Sequence, residues 1–245
     1  MSFIDPIIAD ELRKKLTFDL SQLGKLYKAK KSIYHVRSVA HNLADDLIKE
    51  GWEEFGKPLK TKTRLRIAKS HNDKFEDDVW CQLYELGFRH LNFANDFHLP
   101  FGKDSLETKQ IDVIAVNEDC ILLVECKSSE KPAKAPSYKT EFEGLPRRIY
   151  GYRKALEQVF GRGKKIKYIF ATRNLKLDRT SDDVERLLDT GSFFYNDNTY
   201  EYVNSLIKAY KNAAHYQYLA LLFRGELINK DRIEVPAVEG RMGGK

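Results

Sequence analysis

Apolar positions along the chain recur at two periods, and the changes of period give an order of elements. Val36, Val39, Ala40, Leu43 and Leu47 fall at helical spacing between Ser32 and Trp52, with Gly51 as a stop, and residues 1–56 as a whole read as helical. Residues 57–72 are basic and poor in apolar side chains, which suits a linker or an exposed arm. A strong helix is predicted from Asp73 to Leu86, with Phe75, Val79, Leu83 and Leu86 as its stripe and Gly87 as its end. The period then shortens. Phe88 to Phe93 is a short candidate strand, and Gln110 to Val116 and Cys120 to Lys127 flank Asn117-Glu118-Asp119 as in a hairpin. Residues 128–146, rich in Lys, Pro and Ser, read as a mobile loop. Beyond it the pattern gives a helix from Pro146 to Phe160 and a buried strand from Lys165 to Ala171. A helix from Ser181 to Leu188, a short strand from Ser192 to Tyr195 and helix over 199–223 follow. This order predicts an α/β fold with a mixed central sheet of four or five strands and an N-terminal helical extension.

The hairpin has a readable register. If Glu118-Asp119 is a two-residue loop, Asn117 faces Cys120 and Asp112 falls opposite Glu125. Side chains alternate with period two, so Lys127 shares their face. Ile111, Val113, Ala115, Leu122, Val124 and Cys126 take the other face, which is wholly apolar and must be buried. Directly opposed β carbons lie about 4.5–5.5 Å apart. Two carboxylates at that distance repel unless a cation sits between them, and hard oxygen ligands suit Mg²⁺ or Mn²⁺. A salt bridge from Lys127 to one of the acids is the plain structural alternative, and it leaves the second acid unexplained.

Composition narrows the setting. The chain has 245 residues, 42% of them hydrophobic and 32% charged, enough for a large domain with an extension. No apolar run approaches the roughly 20 residues of a membrane span. The start, Met1 to Pro6, lacks a basic segment followed by an apolar one, so no secretory signal is expected. Cys81, Cys120 and Cys126 fit neither a disulfide framework nor a CxxC zinc site and read as reduced thiols, which points to the cytoplasm. The six histidines are scattered without zinc spacing. The net charge of +6 and pI of about 9.0 alone call for nothing beyond solubility. Their distribution says more. Lys57, Lys60, Lys62, Arg64, Arg66 and Lys69 run without an acid among them, and a second basic stretch extends from Lys127 through Arg147, Arg148 and Arg153 to Lys167. Clustered cations suit a polyphosphate partner.

Asp112, then Glu125-Cys126-Lys127 at the end of an apolar strand, resembles the PD-(D/E)XK nuclease superfamily, although Ile111 stands where the Pro of that name would be. The resemblance implies a restriction-endonuclease-like mixed central sheet flanked by helices. It implies that Asp112, Glu125 and the main-chain carbonyl of Cys126 hold Mg²⁺ or Mn²⁺. Lys127 would orient or activate the attacking water and stabilise charge on the phosphate. A Glu of the preceding helix commonly joins such sites. Glu76 is the candidate, because at about 100° per residue it lines up with Val79, Trp80 and Leu83. Asp77 and Asp78 then point further round, towards solvent. Arg147, Arg148 and Arg153 open the helix after the site and are the candidate phosphate contacts, and Gln110 is placed to orient Lys127.

A second resemblance rests on Lys62-Thr63-Arg64-Leu65-Arg66, Phe75-Glu76-Asp77-Asp78-Val79-Trp80 and Gly240-Arg241-Met242-Gly243-Gly244-Lys245. Together these look like the nuclease-like front half of bacterial DGQHR-domain proteins, relatives of the DndB group linked to DNA modification and phage defence. The Asp-Gly-Gln-His-Arg motif itself is absent. The implied organisation is a helical extension and basic linker over 1–72, a nuclease-like domain over 73–235, and a tail or the start of a missing second domain over 236–245. The function expected is metal-dependent DNA endonuclease activity in phage defence or modification–restriction, with DNA as partner. A second DGQHR-type domain, a defence-system partner and self-association stay open. The alternative is a catalytically silent DNA-binding module or a protein-interaction domain of the same fold.

Overall fold

The computed structural model describes residues 3–16, 19–57, 59–102, 107–177 and 181–223. The expected tail over 236–245 lies outside the described residues.

Two capped helices open the chain. Asp5 precedes α1 (Pro6–Lys14) and accepts from the Ile7 N–H at 2.7 Å, and Asp19 does the same for α2 (Leu20–Lys31) through Ser21. β1 (Tyr34–Ala40), α3 (His41–Lys49), β2 (Glu53–Glu54) and β3 (Lys62–Ala68) come next. Ser70 caps α4 (His71–Glu85), and Gly87, at φ 104, turns the chain out of it. The middle of the chain holds β4 (His90–Leu91), β5 (Phe97–Pro100), β6 (Thr108–Ile111), β7 (Val113–Val116) and β8 (Cys120–Lys134). It continues through α5 (Lys139–Glu143), α6 (Leu145–Phe160), β9 (Lys165–Lys176), α7 (Asp182–Asp189), β10 (Phe193–Tyr195), α8 (Asp197–Tyr210) and α9 (Ala214–Phe223).

The central sheet runs β10-β9-β8-β7-β4. β8 pairs in parallel with β9 and β9 with β10, while β7 pairs antiparallel with β8 and with β4. The mixed sheet flanked by helices is the architecture expected of a restriction-endonuclease-like fold. Its hairpin has the expected register: Val113 faces Val124 and Val116 faces Ile121. Asn117 closes the turn, its side-chain oxygen accepting from the N–H groups of Asp119 and Cys120 at 2.9 and 2.6 Å.

Each face of the sheet buries its own core. Val113, Ala115, Leu122, Val124 and Cys126 pack with Phe75, Val79, Trp80 and Leu83 of α4 and with residues of α8 and α9. Ile114, Val116, Ile121 and Leu123 pack with Leu145, Tyr152, Leu156 and Val159 of α6 and with Ala9 and Leu12 of α1. Ile111 belongs to this second core and not, as its spacing predicts, to the face of Val113. The chain bends at Asp112, between β6 and β7, and the alternation changes phase there.

Several other expectations are corrected. Ser32 to Trp52 is not one helix. Tyr34 to Ala40 is a strand paired antiparallel with β3, and only His41–Lys49 is helical. Val36 and Leu43, counted into the helical stripe, are 50% and 53% exposed. Residues 57–72 are not a linker, because Thr63, Leu65 and Ile67 alternate with the cations and turn towards the cluster built on Ala44 and Trp52. Residues 128–146 are not a loop throughout. β8 runs on to Lys134 beside β9, with a register shift between Ser128 and Ala133, and α5 follows. The strand near Phe88 is confined to His90–Leu91. The helix over 199–223 breaks at Lys211, where φ is 48. Among the described residues, no helix is long and apolar enough to cross a membrane.

Candidate active site

Asp112, Glu76, Cys126 and Lys127 line one cavity of ≈ 310 Å³, together with Asn72, Ser128, Pro136, Tyr138 and Leu175. The bend before β7 delivers Asp112, and β8 delivers Cys126 and Lys127, at the end of the hairpin. α4 delivers Asn72 and Glu76 from its first two turns. The bend at Asp112 is held from behind by Asn92, a side chain only 1% exposed. Its amide nitrogen donates to the carbonyls of Asp112 (3.0 Å) and Ala94 (2.9 Å), and its oxygen accepts from the Ile114 N–H (3.1 Å). The Trp80 indole donates to the Asn92 carbonyl at 2.9 Å and ties this clamp to α4. So held, Asp112 accepts the Cys126 N–H on its own Oδ2 at 2.7 Å. A side chain replaces a backbone acceptor where the ladder stops.

Glu125 is 4% exposed and asymmetric. Its Oε1 meets the Lys127 ammonium at 2.6 Å and the Lys109 ammonium at 3.4 Å. Its Oε2 is buried without a hydrogen-bond partner. Lys109 also pairs with Glu141 of α5. Glu76 accepts from the Asn95 side chain at 2.7 Å, and Gln110 donates to the Asn95 carbonyl at 2.5 Å instead of orienting Lys127.

The electrostatics follow from this crowding. Burial, then the nearby Glu125 charge, pushes the Asp112 carboxyl up to about 6, against the opposing pull of the Cys126 N–H. Burial, then Asp112 and Asp73, pushes Glu76 up to about 7. Burial works against the charge on Lys127, but the Glu125 carboxylate outweighs it and holds the ammonium above its ordinary value. Lys127 is thus a fixed cation at neutral pH.

The other sequence candidates are dispersed. Arg147 is exposed and pairs with Glu107, Arg148 donates to the Glu141 carbonyl at 2.5 Å, and Arg153 is exposed on a later turn of α6. At about 100° per residue Arg153 stands about 120° round the helix from Arg147, so they do not present one row. None of the three lines the cavity. Asp77 is not solvent-facing but 5% exposed, held by the ammoniums of Lys30 (2.5 Å) and Lys69 (2.8 Å). Asp78 is half-buried and pairs with Arg173 at 2.6 Å. Asn92, Asn95 and Lys109 are the site neighbours that sequence reasoning missed. Only the apolar setting of a lone Asn92, between Leu91 and Phe93, hinted at one of them.

A resident divalent cation can be tested against these residues. Three facts fit it: an orphaned buried carboxylate oxygen on Glu125, two neighbouring carboxyls held above their ordinary range, and an all-oxygen donor chemistry. Among the described residues no three His, Cys, Asp or Glu side chains close on one point as a metal cluster. Mg²⁺ needs no such cage, since it is commonly bound through one or two carboxylates, waters and substrate phosphates.

No family model and no curated protein matches the chain. Several solved structures are similar in part, and two stand as examples. One is Can2 from Sulfobacillus thermosulfidooxidans in complex with cyclic tetra-adenylate, at 13% identity and TM-score 0.33, over 88% of this chain and 54% of that one. The other is protein VC1899 from Vibrio cholerae, at 12% identity and TM-score 0.36, over 84% of this chain and 53% of that one. The chain thus spans about half the length of each.

Proposed function

We propose that the chain is a divalent-cation-dependent nuclease that hydrolyses DNA phosphodiesters. The observation that carries the reading is the convergence of Glu76, Asp112, Cys126 and Lys127 on one cavity beside the half-satisfied Glu125. Asp112, the free oxygen of Glu125 and the main-chain carbonyl of Cys126 would hold Mg²⁺ or Mn²⁺. The cation would supply charge neutralisation at the phosphate and an acidified water. Lys127, protonated and paired with Glu125, is suited to stabilising negative charge on a phosphate and not to accepting a proton. Glu76, near pH 7 in its titration, is the carboxyl able to exchange a proton at the cavity wall. A role in phage defence or DNA modification rests on the sequence resemblance alone.

The test is cleavage of plasmid and oligonucleotide DNA in Mg²⁺, Mn²⁺ or EDTA. The wild type should cut with metal and not with EDTA. Asp112→Asn and Lys127→Ala should each lose at least about 100-fold in rate, the scale of removing one transition-state contact, with melting curves showing that each variant still folds. A wild type inert with every metal would leave a silent binding module as the reading, and full activity in Asp112→Asn would remove the site.

A further inference from the structure

The small sheet, in the order β1-β3-β2, has two unlike faces. One carries Val39, Thr63, Leu65 and Ile67 and is packed with α3 and Trp52. The register places Val36 opposite Arg66 and Ser38 opposite Arg64, with Tyr34 opposite Ala68 and Glu53 opposite Arg66 on the same side. Phe55 continues β2, its N–H donating to the Arg64 carbonyl at 3.0 Å. This second face is open to solvent: Val36 is 50% exposed, and Ser38, Ala40 and Lys62 are exposed.

Two guanidiniums stand over aromatic rings on it. Arg64 stands 4.7 Å from the Phe55 ring centroid, and Arg66 stands 4.5 Å from that of Tyr34 and 5.9 Å from that of Phe55. A guanidinium held over a ring by its charge keeps its outward N–H groups for an anion. Among the described residues neither Arg64 nor Lys62 has a carboxylate within ion-pair distance, and Arg66 has only Glu53, at 3.4 Å. Its Nε is buried without a hydrogen-bond partner. Lys57 and Lys60 are exposed on the neighbouring loop. Such charges suit an anionic partner, and the rings and guanidiniums between them suit flat, apolar groups.

We infer that this face of the small sheet is a binding platform for single-stranded nucleic acid. Phosphates meet Arg64, Arg66 and Lys62, and bases stack on the aromatic and guanidinium planes, which only unpaired bases can reach. The platform adjoins the cavity through the chain itself. β3 ends at Ala68, and Asn72, four residues on, already lines the cavity. The inference goes beyond the nuclease reading and does not need it, since a platform can hold a strand that is never cut.

The experiment is fluorescence anisotropy of a labelled oligothymidylate against the full chain in EDTA, over a salt series. The wild type should bind, and more tightly than it binds a duplex. The double variant Arg64→Ala, Arg66→Ala should bind at least about tenfold more weakly, and its log–log salt slope should flatten by about 1.4, from about 0.7 for each lost contact to a single strand. Melting curves report whether that variant folds. Val36→Glu adds a carboxylate at an exposed position beside Arg66, leaves the core untouched, and should weaken binding similarly. Wild-type affinity and slope in both variants would overturn the platform, as would displacement by polyglutamate as effective as by unlabelled oligonucleotide. A chain that binds in this way but cuts nothing would support the platform and end the nuclease reading.

Discussion

Asp112 takes part in the site only because Asn92 holds the bend around it. Replacing Asn92 with Leu would strand the Ile114 N–H and the Asp112 carbonyl in a dry interior. Each orphaned group costs about 1–3 kcal/mol, so a loss of about 2–6 kcal/mol is expected in urea denaturation. Cleavage should fall further than the lost stability explains, because the Asp112 carboxylate loses its aim. A variant with wild-type stability would show the clamp to be idle. The raised carboxyls give a pH signature as well. Asp112 and Glu76 titrate above their ordinary values in the folded chain, so between about pH 4 and 7 the folded state holds more protons than the unfolded one. Their contribution to stability is complete below the ordinary carboxyl range and is lost as pH rises through about 6 and about 7. In EDTA the melting temperature should fall across that window, and Glu76→Gln should flatten the fall. An unchanged slope in Glu76→Gln would place the titration elsewhere. At this scale Asp112, Glu125 and Lys127 were legible because a two-residue turn fixes the register of the hairpin. Lys109 was not. Strict alternation assigns it to the apolar face of Ile111, and the bend that changes the phase depends on a partner about 20 residues earlier, Asn92.

Elements with one apolar stripe and a clear stop were readable: α4 between Ser70 and Gly87, α6 up to Gly161, and α7 behind the Ser181 cap. The small sheet was not, because β1 earns its extended form from pairing with β3, a neighbour distant in sequence, and its valines happen to fit a helical period too. The outer part of β8 was missed for the same reason. Its Lys- and Pro-rich composition suits a loop, and β9 keeps it extended, helped by Asn174, which at φ 57 donates to the Ser129 carbonyl at 3.0 Å. Close approach also governs α6. At Gly151 an added Cβ would run into the Phe101 backbone, 2.5 Å from its Cα. Gly151→Ala must push α6 off the strand end and should cost about 1–3 kcal/mol or more by thermal or urea denaturation. A neutral result would mean that the segment at Phe101 yields freely.

The whole molecule is a sheet with a core on each face, and the sequence conveyed that arrangement through its element order, while the small sheet and the polar clamp behind the site depend on distant pairings. The parallel pairing of β8 with β9 has a kinetic consequence. The hairpin of β7 and β8 joins neighbours across a tight turn, whereas β9 can align only after the chain has passed through α5 and α6. Local pairing forms before pairing that closes a long loop. Val116→Ala, at the hairpin, is therefore expected to slow refolding. Phe194→Leu, on β10, should chiefly speed unfolding in stopped-flow urea chevrons, and the reverse pattern would refute this order of events. Asp112 and Glu125 then come together while still in water and lose it only when the helices and outer strands close over them. Their mutual repulsion would weigh on the late side of the folding barrier, so Asp112→Asn should lengthen the lifetime of the metal-free native state and leave the rate of reaching it nearly unchanged.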